Sequence, residues 1–158
     1  MTEQNWVTIE RTFAAPIDTV WKMWTEGEHY SQWYGPMGAT IPVANMDATV
    51  GGSRLISMEM QTPDGTMSMW FTGEFTEVNP VTRLVYTELM CDENGNPTPP
   101  EAMGMPAGTD MSTQVVVELE DLSGSTEMSM THVGVPADSP GGQGWAMAID
   151  KLESLLGA

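Results

Sequence analysis

The chain has one cysteine, two histidines and only five lysines and arginines in 158 residues, and each scarcity removes a class of chemistry. With Cys91 alone no internal disulfide can form, which suits a reducing compartment. His29, His132 and Cys91 fall short of the His/Cys complement of a zinc centre, and no EF-hand spacing offers a carboxylate calcium loop, so no metal is expected. There is no Gly-x-Gly-x-x-Gly, no P-loop and no Gly-x-Ser-x-Gly elbow, so neither a phosphate-bearing cofactor nor a serine nucleophile is written here. Met1 to Trp6 shows no basic and apolar leader pattern, and no apolar run approaches the roughly 20 residues that cross a bilayer. These absences predict a cytoplasmic protein without cofactors.

Five basic residues stand against 22 Asp and Glu, a net charge of −17. So anionic a chain repels phosphate backbones and anionic lipid, which argues against nucleic acid and membrane surfaces as partners. The acidity has two readings. One is a solvated surface that keeps the protein in solution. The other is adaptation to high salt, where screening relieves self-repulsion, and the presence of just two lysines, Lys22 and Lys151, leans that way.

What is present is a single-domain pattern over residues 1–158, a length that buries roughly 70% of the unfolded chain's surface. Trp6 to Phe13 alternates, with Val7, Ile9, Arg11 and Phe13 on one face, as in a half-buried strand. Pro16 opens a helix whose Ile17, Val20, Trp21 and Trp24 form one apolar face, Gly27 ends it, and a second short helix is predicted from Glu28 to Trp33. Strands are predicted at Thr40 to Met46, Ser53 to Met60, Met67 to Val78, Leu84 to Met90, Ser112 to Asp121 and Thr126 to Val133. They are joined by turns such as Pro63-Asp64-Gly65 and Ser123-Gly124. Short connections imply antiparallel neighbours. A last helix, Gly142 to Leu156, presents Trp145, Ile149, Leu152 and Leu156 on one face, and only the inner face of the sheet is available to cover it. The expected class is therefore α+β: a curved antiparallel seven-stranded sheet gripping a long C-terminal helix, the helix-grip (START/Bet v-like) arrangement. The irregular Cys91 to Thr109 stretch reads as a flap at one end of the sheet, where Met103, Met105 and Pro106 could cover a mouth.

Particular residues also carry a resemblance. Phe13-Ala14-Ala15-Pro16 with Val20-Trp21 and Trp24-Thr25, then Trp33-Tyr34-Gly35-Pro36, Gly51-Gly52, Pro63-Asp64-Gly65, Arg83-Leu84-Val85-Tyr86-Thr87, Thr131-His132 and Gly144-Trp145 occur in order. From about Val7 to Leu156 the chain resembles the heat-shock-protein-90 ATPase activator-like branch of the START-related (SRPBCC) superfamily. The resemblance covers the helix-grip module; the eukaryotic activators stimulate the chaperone largely through a separate N-terminal domain. Relatives elsewhere in the superfamily bind lipids, sterols or polyketides, and some catalyse cyclisations, so the resemblance implies a cavity without naming its occupant.

The candidate site residues are polar or adaptable groups that alternation aims inward. His132 follows Met128 and Met130 at period two; it reads either as a satisfied core histidine or as a titratable group at a ligand. Tyr86 and Glu88 share a face with Leu84. Glu88 either points into an apolar cavity, where it could act as acid or base, or reaches water at the strand end. Arg11, inward on the first strand, is either a structural ion pair or a partner for Glu88 or an anionic ligand. Met58, Met69, Met128 and Met130 fill the core or line an adaptable pocket. Trp145 and Ile149 face the same space from the last helix. Three functions follow as alternatives. The first is a binding protein for a small hydrophobic or amphipathic ligand. The second is a cyclase- or hydratase-like enzyme using Glu88 and His132, and the third is a chaperone-interacting module. The chain is expected to be a monomer or homodimer.

Overall fold

The computed structural model describes residues 5–109 and 111–156, the side chain of Met103 excepted. Along the chain run β1 (Trp6–Phe13), α1 (Ile17–Thr25), α2 (Gly27–Tyr30), β2 (Thr40–Met46), β3 (Ser53–Thr62), β4 (Gly65–Asn79), β5 (Arg83–Cys91), β6 (Thr113–Asp121), β7 (Thr126–Pro136) and α3 (Pro140–Leu155). The seven strands form one antiparallel sheet in the order β1-β7-β6-β5-β4-β3-β2. This is the expected helix-grip class. Register shifts at Trp6/Val7, Thr40/Val43 and Phe75/Glu77 bend the ladder, as an extra residue in one strand must. Gly73 allows β4 to close on β5, because a Cβ there would stand 1.8 Å from the Thr87 carbonyl oxygen.

Several boundaries differ from expectation for local reasons. Gly27 does not merely end α1. It opens α2, where its missing side chain lets the backbone pass the Ala44 carbonyl oxygen, 1.9 Å from where a Cβ would sit. The helix it opens closes at Tyr30, so Trp33 lies in the following turn rather than on a helix. Helix α3 begins at Pro140, ahead of the glycines, because Ser139 caps it by accepting from the Gly142 N–H at 3.3 Å and proline has no N–H to leave unpaired. β7 runs on to Pro136, three residues past the predicted end. Among its described residues, the flap between β5 and β6 contains one 3₁₀ turn, Pro100–Met103.

Helix α3 buries Trp145, Ala148, Ile149 and Leu152 against the sheet. Each of its large apolar side chains contributes about 1.5–3 kcal/mol relative to exposure. Arg11 ties the helix to β1 from the outside, donating to Asp150 at 3.0 Å and Glu153 at 2.9 Å. The hollow of the sheet is not left to α3 alone. A block of rings from α1, the α2 turn and α3 fills much of it: Trp24 lies 4.7 Å from Trp33 and 5.9 Å from Trp145, and Tyr30 stacks on Tyr34 at 4.7 Å. Offset and edge-on ring pairs of this kind are favourable beyond the area they bury.

Candidate functional site

The space the aromatic block leaves is a recess of about 390 Å³ at the N-terminal end of α3. Its walls are apolar, with Met58, Met69 and Phe71 from β3 and β4, Val135 from β7, and Trp145 and Ala148 from α3. Tyr34, Gly35 and Pro36 make one rim, and Lys151 braces that rim by donating to the carbonyl oxygens of Tyr34 and Pro36, each at 3.3 Å. Tyr34, Glu88 and His132 are the polar side chains among the residues that line it.

Alternation along β5 aims Leu84, Tyr86 and Glu88 inward, and all are buried; Glu88 is 5% exposed. Of the two possibilities for Glu88, the structure places it at the recess rather than in bulk water. Its Oε1 accepts from the Tyr34 hydroxyl at 3.0 Å, while its Oε2 is buried with no hydrogen-bond partner among the described residues. Leaving a buried acceptor unpaired costs about 1–3 kcal/mol, so such an atom calls for a partner.

Behind Glu88 lies a residue that sequence reasoning missed. Arg54, 1% exposed, holds its guanidinium carbon 3.8 Å above the Tyr86 ring, 5.4 Å from Tyr30 and 5.9 Å from Phe75. Among the described residues, none of its three nitrogens has a hydrogen-bond partner. Burial works against its charge, but Tyr30, Tyr86, Glu88 and Tyr34 outweigh that and hold its pKa above the ordinary arginine value. The cation rests on ring faces, which substitute for water in part. The tyrosines respond in kind. Burial pushes Tyr86 up to about 12 against the pull of Arg54, and pushes Tyr30 and Tyr34 well above the ordinary phenol value. All three therefore stay neutral donors across the physiological range. The signal for Arg54 was available in the strand pattern, since Arg54, Ile56 and Met58 alternate onto one face of β3.

His132 is 6% exposed and fully engaged. The Trp145 indole N–H donates to its Nδ1 at 2.8 Å, so the proton of the neutral ring resides on Nε2, which lies 2.7 Å from Thr113 Oγ1. Thr113 in turn donates to the Glu88 carbonyl oxygen at 3.0 Å. Burial holds the His132 pKa below its ordinary value, opposed by Glu88 and aided by Arg54. Both ring nitrogens are engaged within the protein, and neither is spare for a substrate.

Of the other residues expected at the cavity, Met58, Met69 and Trp145 line it. Met128, Met130 and Ile149 do not; each is fully buried in the packed core, where the sheet and α3 meet too closely to leave a gap. Tyr86 is core as well, covered by Arg54. Arg11 is directed away from the recess, because two carboxylates of α3 claim its guanidinium. Met105 is exposed in the flap and does not line the recess, and the Met103 side chain lies outside the described residues. Among the described residues no three His, Cys, Asp or Glu gather as a metal site, and no helix is long and apolar enough to cross a membrane.

Comparison with solved structures finds the same architecture in several bacterial proteins. A protein from Chromobacterium violaceum is 24% identical with a TM-score of 0.75, over 98% of both chains. One from Nitrosomonas europaea is 26% identical with a TM-score of 0.71, over 99% of this chain and 96% of that one. The AHSA1 protein of Silicibacter pomeroyi is 20% identical with a TM-score of 0.69, over 94% and 95% of the two chains, a likeness of fold alone. No curated protein matches the chain. Residues 14–157 match the family model described as "Activator of Hsp90 ATPase homolog 1-like protein", so nearly the whole chain, from the end of β1 to the end of α3, belongs to that family.

Proposed function

We propose that the chain binds an amphipathic small molecule whose apolar body fills the recess and whose hydrogen-bond donor, neutral or cationic, meets Glu88. The observation that carries this reading is the pairing of an apolar wall with one buried, unpartnered carboxylate oxygen, Glu88 Oε2. A recess of about 390 Å³ is within the range of small-molecule sites, in which a few placed polar groups orient a mostly apolar ligand. An acceptor without a donor favours ligands that bring one and disfavours ligands that bring a second acceptor. Binding is preferred to acid–base catalysis because His132, the partner Glu88 would need, spends both ring nitrogens on Trp145 and Thr113. Chaperone association rests on the family description alone.

The test compares decylamine with decanoate, read by calorimetry and by quenching of Trp145 at the recess wall. Measurements at about 1 M salt, where the Debye length is about 3 Å, remove the attraction of the amine to the acidic surface. Decylamine binds at least tenfold tighter than decanoate, and Glu88→Gln narrows that ratio. Equal affinities, or a preference for decanoate, would overturn the reading in the unaltered protein whatever the variant does.

A further inference from the structure

A second recess, of about 220 Å³, adjoins the first. It is formed by Leu89, Met90, Thr98, Met111 and Thr113, and it shares Phe71, Glu88, His132 and Val135 with its neighbour. Its floor is anchored rather than loose, since the Thr98 N–H donates to the Met90 carbonyl oxygen at 2.9 Å. Glu88 therefore stands on the boundary between two apolar chambers, with Oε1 fixed by Tyr34 and Oε2 unengaged.

The geometry points to a ligand that crosses this boundary: a molecule with apolar arms on both sides of an internal donor, such as a secondary amine or a mid-chain hydroxyl, rather than a chain with its donor at one end. This rests on the binding reading above and specifies the ligand class. A terminal donor at Glu88 sends its whole chain into one chamber and leaves the apolar wall of the other in contact with water. An internal donor places one arm in each and gains both burials from the same polar contact. Arms of unequal length match chambers of unequal size.

Dipentylamine and decylamine carry the same ten carbons and one ammonium, and differ in where the nitrogen sits. At the same high salt, dipentylamine binds at least tenfold tighter than decylamine, with one molecule per chain by native mass spectrometry, and Met111→Trp, which fills the smaller chamber, removes the preference. A smaller ratio, or two pentylamine molecules bound to one chain with independent affinities, overturns the spanning ligand while decylamine binding keeps the simpler reading. Failure of every amine to bind overturns both.

Discussion

The Trp145 indole donates to His132 Nδ1 at 2.8 Å, and that one contact decides where the proton of a buried imidazole resides. It joins α3 to β7 at the edge of the recess, and it exists only while Nδ1 is bare.

Protonating His132 places a hydrogen on Nδ1 opposite the indole N–H, so the bond must break. The folded pKa lies below the ordinary imidazole value of 6.5, chiefly through burial, with Glu88 and Arg54 as the facing charges. Above 6.5 both folded and unfolded rings are neutral; as pH falls, the unfolded ring gains its proton first, so folding loses free energy until the folded pKa is passed. Thermal midpoints should fall from pH 7.5 toward 5.5, with a change in tryptophan emission. His132→Gln should flatten that slope. Nitrogen-resolved NMR at neutral pH should find the proton on Nε2; finding it on Nδ1 would refute the assignment.

Arg54 and Glu88 are two buried, opposite charges that share neighbours without touching. Each shields the other from being a lone charge in the core, so removing either costs about 3 kcal/mol. Arg54→Met keeps the volume and removes the cation; Glu88→Gln keeps the shape and removes the anion. In urea unfolding the double variant should lose about 1–3 kcal/mol less than the two single losses combined. Strict additivity would show that the charges are energetically independent.

Gly73→Ala tests the curvature that makes the hollow. The new methyl would meet the Thr87 carbonyl oxygen, a backbone atom that no rotamer change can move. Stability should drop by about 1–3 kcal/mol or more, the range for overpacking. An unaffected unfolding midpoint would mean that β4 and β5 can separate there without cost.

Much of the frame was legible before the structure. Alternation along Val7 to Phe13 and Leu84 to Glu88, and the spacing of Trp145, Ile149 and Leu152, state directly which faces are buried. The site was only half legible, because it depends on which inward side chains leave space. Period two cannot tell Met58, which borders the recess, from Met128, which is packed solid. Nor can it pair Tyr34 with Glu88, 54 positions apart. Arg54 escaped notice for a different reason: an arginine near a glycine turn reads as solvated, and the stacked rings that shelter it come from α2, β4 and β5. Nor does the pattern show that the rings of Trp24 and Trp33 pack together within the hollow.

The lysine brace links two parts of the chain far apart in sequence. Lys151 belongs to the fourth turn of α3 yet holds the backbone of Tyr34 and Pro36, so the rim and the helix are fastened together. Any widening of that rim at Tyr34 and Pro36 would give up two hydrogen bonds to one ammonium. The shape of the rim thus depends on a residue that does not itself line the recess.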